Sequence, residues 1–221
     1  MTVSVDDFVK AIYKQSILTK VDTKLSTISE LLNISNAATT DMARKLAQKG
    51  LVNYTKYKPL TLTNEGEKLA LNVLRKHRLW EVFLYQTLEL SLYEIHQEAE
   101  NLEHFTSDFL ADKIEEYLGN PETTPQGAPI PSFNGHINLD SSQILLSEAK
   151  AGEMYEITRL SGSEKDFLDF CKSGGITIGA KINVEKQYRS GKMIEITINK
   201  NKILLHEDVA NTIYVRYLSI S

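Results

Sequence analysis

The side chains best suited to chemistry lie in one stretch, residues 75–104, RKHRLWEVFLYQTLELSLYEIHQEAENLEH. It holds three of the chain's five histidines, His77, His96 and His104, together with Glu81, Glu100 and Glu103. On a helix His77 and Glu81 are four residues apart and share a face. His96, Glu100, Glu103 and His104 fall at offsets 0, 4, 7 and 8, a second single stripe. Imidazole and carboxylate without thiolate suit a divalent first-row ion such as manganese, iron, cobalt or zinc. The stretch therefore reads as a metal sensor. Lone helix histidines are usually surface or core residues, so His136 and His206 are given no role.

The elements before this stretch suggest what a metal would control. Residues 5–20 place Phe8, Val9, Ile12, Tyr13 and Ile17 at helical spacing. Asp6 and Asp7 sit in its first turn, where the helix dipole favours acids, which explains both without a metal. Residues 25–48 form two helical segments broken near Asn33-Ile34-Ser35. Ser26 or Thr27 can cap the first, and Ser35 or Asn36 the second. The pattern is a helix-turn-helix. Ser35, Asn36, Ala37, Ala38 and Thr40 at the start of the second helix are small enough to approach phosphates and base edges, and Arg44 and Lys45 can reach phosphates. Leu51–Thr55 and Leu60–Thr63 read as strands around the turn Lys56-Tyr57-Lys58-Pro59, a wing with Lys56 and Lys58 at its tip.

A long helix follows from Thr63 through Leu88, and a further helical stretch from Leu92 to Leu118 divides near Thr106. Phe109, Leu110, Ile114, Tyr117 and Leu118 suit a dimer interface as well as a core. Residues 119–135 carry four of the five prolines and three of the eleven glycines, which excludes regular helix or a central strand. Beyond them, strands at 155–160, 181–186, 193–198, 202–205 and 212–217 with a helix at 166–172 indicate a small SH3-like barrel. The expected fold is mainly α with a β domain. Its parts are a winged helix-turn-helix over 1–63, a helical metal-binding and dimerisation domain over 64–119, a linker over 120–147 and an SH3-like domain over 148–221.

Composition sets limits on function. Residues 1–60 carry nine Lys/Arg against five Asp/Glu, and residues 81–120 carry one Lys against ten Asp/Glu, so the net charge of −4 hides a basic end and an acidic middle. That asymmetry suits an anionic polymer at one surface and cations at another. The single cysteine, Cys171, excludes an internal disulfide and suits a reducing compartment. No apolar run approaches the roughly 20 residues that span a bilayer, and the first residues lack a signal-peptide pattern. A cytoplasmic protein with no membrane partner is expected.

Taken together, LTLTNEGEKLA, RKHRLWEVFL, IHQEAENLEHFTSD and GNPETTPQGAPIP resemble the metal-dependent transcriptional regulators that include the diphtheria toxin repressor and the manganese transport regulator, with a C-terminal domain like that of the FeoA proteins. The resemblance covers nearly the whole chain. It implies a homodimer that binds palindromic operator DNA when metal orders the N-terminal region, usually repressing metal-uptake genes. It also implies a primary site of Asp7, Glu100, Glu103 and His104, an ancillary site of His77, Glu81 and His96, and Asp166 as an extra ligand. Without metal the acidic stripe would repel itself and leave Asp7 no reason to approach Glu100 and Glu103. Iron-type members carry cysteine where this chain has Glu100 and methionine where it has Asp7. The harder donors here favour Mn(II), with Fe(II) the alternative. Lys10 stands where some manganese-type members have a second N-terminal glutamate, and Gln126 replaces a common histidine. Two rival readings are a metal-assisted hydrolase, which HExxH or a glycine-rich nucleophile loop would have supported, and a metal-independent winged-helix adaptor.

Overall fold

The computed structural model describes residues 4–18 and 23–219, without the side chains of residues 17 and 18. Thr19 and Lys20, expected to end the first helix, and the side chain of Ile17 lie outside the described residues. The chain forms two compact units, one of Met1–His77, Leu102–Asp108 and Pro131–Ile137, the other of Arg78–Asn101, Phe109–Ile130 and Asn138–Ser221.

In the first unit, α1 (Val5–Tyr13) begins with a capping box. The Ser4 hydroxyl accepts from the Asp7 N–H at 3.0 Å, and Asp7 Oδ2 accepts from the Ser4 N–H at 3.0 Å. These two bonds satisfy two of the amide donors that a helix start leaves without an intrahelical partner. A π-helical turn, Lys14–Leu18, follows. Then come α2 (Leu25–Leu31), α3 (Asn36–Gln48) and a wing whose strands β1 (Val52–Asn53) and β2 (Thr61–Leu62) are only two residues each. The strands are shorter than the spacing suggested, because the pairing covers only Val52 with Leu62 and Asn53 with Thr61. Phe8, Val9, Ile12, Ile28, Leu46, Val52, Leu60 and Leu74 make one core. The periodic apolar positions of four helices and the wing thus bury one another.

A single 25-residue helix, α4 (Asn64–Leu88), forms where the long helix was expected. It is followed by α5 (Leu92–Leu102), a 3-10 turn over Glu103–Phe105, and α6 (Asp108–Tyr117). The break near Thr106 is therefore a 3-10 turn that begins at Glu103 and ends in extended backbone at Thr106. In the second unit Leu79, Val82, Ala111, Ile114 and Ile130 form a small core against which Leu118 packs. Phe109, Leu110 and Tyr117 stay exposed, so the apolar set of the last helix divides between core and surface.

The C-terminal part is one antiparallel sheet of six strands in the order β3-β8-β4-β5-β6-β7. Its strands are β3 (Gln143–Leu145), β4 (Met154–Leu160), β5 (Lys181–Tyr188), β6 (Met193–Ile198), β7 (Asn201–His206) and β8 (Ile213–Tyr217). The helices α7 (Lys165–Ser173) and α8 (Glu207–Ala210) lie between strands. Bulges at Ile157/Arg159 and Val184/Lys186 bend β4 and β5. Among the described residues the edge strands β3 and β7 do not pair, so the expected closed barrel is an open sheet in its hydrogen bonding. Cys171 is buried in the sheet's core, and burial pushes its thiol up to about 12, which makes it inert near neutral pH.

Part of the proline-rich segment belongs to this sheet. The Leu160 N–H donates to the Gln126 carbonyl at 2.9 Å, and Gln126 Nε2 donates to the Gly162 carbonyl at 3.2 Å. That accounts for buried Gln126, the departure noted in the sequence, without a metal. Gly127 has φ +78, and a Cβ there would stand 2.0 Å from the Thr158 carbonyl oxygen. Gly119 has φ +75 with nothing within 4 Å of such a Cβ. Gly119→Ala is expected to cost only the left-handed conformation, about 1–2 kcal/mol. Gly127→Ala must also displace backbone and should cost on the order of 3–5 kcal/mol. Urea denaturation of the two variants checks this, and equal costs would contradict the close approach.

Candidate metal centre and DNA-binding face

Within the first unit two elements bring three donors together. Asp7 comes from the first turn of α1, and Glu103 and His104 come from the 3-10 turn. Ligand atoms of these three residues lie within 4.8 Å of one another. His104 Nε2 is 3.0 Å from Asp7 Oδ1 and 3.7 Å from Glu103 Oε1. Two donors on one ion with bonds of about 2.1 Å stand roughly 3.0–3.4 Å apart, so the Asp7–His104 separation suits a shared cation and Glu103 stands slightly farther off. His104 Nδ1 is buried without a hydrogen bond, and Asp6 Oδ2 at 3.5 Å is a charged oxygen near it. One imidazole and two carboxylates make a hard donor set that fits Mn(II) or Fe(II).

Each carboxylate divides its two oxygens. Asp7 spends Oδ2 on the capping box and turns Oδ1 to His104. Glu103, with its side chain fully buried, receives Lys10 Nζ on Oε1 at 2.5 Å and faces His77 Nδ1 with Oε2 at 2.7 Å. Lys10 is one helical turn beyond Asp7, and its side chain is only 6% exposed. A metal ion is therefore not the only cation able to draw α1 to the 103–105 turn. That revises the expectation that nothing but metal opposes the carboxylate repulsion. No local spacing pointed to it, because the pair spans 93 residues.

In the second unit His96 Nδ1 is 3.2 Å from Glu81 Oε1, with Glu81 buried. Glu100 lies one turn beyond His96 on α5. A carboxylate on Nδ1 fixes the ring and makes Nε2 the basic nitrogen, the usual arrangement behind a ligating histidine. His77 is held in the same manner by Glu103. The stripe expected over His96, Glu100, Glu103 and His104 is interrupted, because the helix tightens to 3-10 geometry at Glu103. Asp166 is exposed in the first turn of α7, a position the helix dipole alone explains.

The winged helix presents the expected polar face. Asn36, Ala37, Ala38, Arg44, Lys45, Lys56 and Lys58 are exposed, and Thr40 is half-buried. Ser35 is exposed too, but its hydroxyl accepts from the Ala38 N–H at 3.1 Å and so serves as the cap of α3. The Thr40 hydroxyl donates to the Asn36 carbonyl at 2.8 Å. Lys45 pairs with Asp41 at 2.8 Å on the solvated surface, an ion pair of little worth that phosphate can replace. At the wing tip Tyr57 is almost fully exposed at φ +68, with Lys56 Nζ 4.8 Å from its ring centre.

Glu103→Gln would leave Lys10 buried beside a neutral amide. Breaking a buried pair from one side costs about 3–5 kcal/mol. Chemical denaturation of protein stripped of metal should show a loss of that size, and an unchanged midpoint would refute the pairing.

Comparison with known proteins agrees with these features. Residues 1–60 match the iron dependent repressor N-terminal DNA binding domain, residues 63–132 the iron dependent repressor metal binding and dimerisation domain, and residues 144–217 the FeoA domain. The iron-dependent repressor IdeR of Mycobacterium tuberculosis is 30% identical over 194 residues, covering 81% of this chain and 83% of that protein. The HTH-type transcriptional regulator MntR of Lysinibacillus sphaericus is 34% identical over 125 residues, covering 55% of this chain and 88% of that protein. A solved manganese-dependent transcriptional repressor in complex with manganese superposes with TM-score 0.91 at 29% identity, covering 97% of this chain and 100% of the other.

Proposed function

This chain belongs to the family of iron- and manganese-dependent transcriptional repressors, and from that premise we propose that Mn(II) is the ion that switches it onto operator DNA. It is a metal-dependent DNA-binding regulator, and the family is one of repressors rather than hydrolases. The observation that carries the manganese reading is the sulfur-free cluster of Asp7, Glu103 and His104, built partly on α1 within the unit that holds the winged helix. An ion held there ties the first turn of α1 to the 103–105 turn, and so fixes α1 under α2 and α3 through their common core. Glu100 is the further carboxylate that the family resemblance assigns to this set. His77 and His96, oriented by Glu103 and Glu81, are offered as the ancillary ligands.

The operator reading follows from the face of α3 and from the wing. We take the partner to be a palindromic duplex bound by a homodimer in the cytoplasm. Exposed Phe109, Leu110 and Tyr117, within the matched dimerisation domain, supply apolar surface for the subunit contact. Metal and DNA then favour the same arrangement of α3, so each must raise the affinity for the other by the same factor, typically about 5- to 150-fold.

Gel shift with self-symmetric promoter DNA tests this. Mn(II) should stimulate binding, and Glu103→Gln combined with His104→Ala should abolish the stimulation. Metal-independent binding, or stimulation that survives the double change, would overturn the proposal. Lys56→Ala or Lys58→Ala should each weaken binding to all sequences and lower the logarithmic salt slope by about one.

A further inference from the structure

We propose that Lys10 acts as a built-in cation of the metal centre, occupying Glu103 Oε1 beside the donor set, so that the Asp7–Glu103–His104 set takes one divalent ion. The inference rests on the metal reading of that set. Its own support is the geometry around Glu103. The ammonium is 2.5 Å from Oε1 and nearly excluded from solvent, and the histidine nitrogen of the donor set is 3.7 Å from the same oxygen. An amine this close to a fully buried carboxylate offsets part of its charge. Oε2 is taken by His77 at 2.7 Å. Glu103 therefore has no second oxygen to offer another metal.

Lys10 adds one positive charge to a set in which Asp6, Asp7 and Glu103 bring negative charges within reach of His104. Lys10 also connects the helix that carries Asp7 to the turn that carries Glu103 and His104, so it preassembles the site at the expense of intrinsic affinity. A positive charge near the ligands weakens cation binding by the same electrostatics that shifts a neighbouring pKa. The effect of a unit charge at this range is about tenfold or more.

The test uses full-length protein and Mn(II) alone, followed by calorimetry and by the electron paramagnetic resonance of bound Mn(II). Asp7→Asn with His104→Ala identifies the ion belonging to this set. In the wild type that ion should be magnetically isolated. Lys10→Met should bind it about tenfold or more tightly with unchanged stoichiometry, and Lys10→Arg, which keeps the charge, should restore wild-type affinity. Lys10→Glu should take up one additional Mn(II), with a spin-coupled signal from two neighbouring ions. Wild-type loading that already shows a coupled pair overturns the proposal, as does a Lys10→Met protein with unaltered affinity. If Asp7→Asn with His104→Ala loses no Mn(II), the metal reading of the set itself fails, and that outcome is distinct because it does not involve Lys10. Circular dichroism of each variant verifies folding, and the gain of an ion by Lys10→Glu cannot arise from unfolding.

Discussion

A carboxylate buried as fully as that of Glu103 needs compensation on both oxygens, and the first unit is arranged around that need. An isolated ionised carboxylate in a protein interior would cost several kcal/mol after relaxation. Here an ammonium meets one oxygen and an imidazole meets the other. The two partners come from elements far apart in the sequence, Lys10 from α1 and His77 from α4. Satisfying one side chain thus pins the N-terminal helix, the long central helix and the 3-10 turn to each other. The apolar core under α1 supplies most of the burial, while the Lys10–Glu103–His77 contacts fix which turn of α1 faces Glu103.

Asp7 shows the same economy on the other side of the site. Its capping bond with Ser4 starts α1, and its remaining oxygen faces His104. Local helix formation and the assembly of the donor set therefore share one residue. An ion bound at Oδ1 draws on a side chain whose rotamer the capping box has already set, so less conformational freedom remains to be lost on binding.

What the sequence revealed followed from local rules. The winged helix was legible because Ser35, the apolar stripe of Met42 and Leu46, and the Lys-rich turn are all decided within a few residues. The C-terminal strands were legible from the alternation of Ile182, Val184, Ile194, Ile196 and Ile198, all buried. The histidine and glutamate donors stood out by type and spacing. Other features depend on distant partners. The Lys10–Glu103 pair spans 93 residues, and no periodicity encodes it. The tightening at Glu103–Phe105 moves two donors off a stripe that offsets of 4, 7 and 8 make look continuous. Strand β3 was missed because Gln143-Ile144-Leu145 is too short to alternate, and it exists only because β8 pairs with it. Closure of the sheet was an analogy from strand count, which does not determine which edges meet.

Beyond Ile157, whose backbone still bonds to Gly179 and Ala180, β4 parts from the β5 side of the sheet. Gln126 takes up the Leu160 N–H with its carbonyl and the Gly162 carbonyl with its amide. Five residues earlier the same segment is an irregular, proline-bearing connector. The FeoA-like portion is consequently not a module with a clean N-terminal border: excised at residue 144, where the family match begins, it would expose a raw strand margin of the kind that invites edge-to-edge association. The connector doubles as the missing selvedge of the sheet, so its length and its composition are constrained by the fold it leads into as well as by the distance it spans.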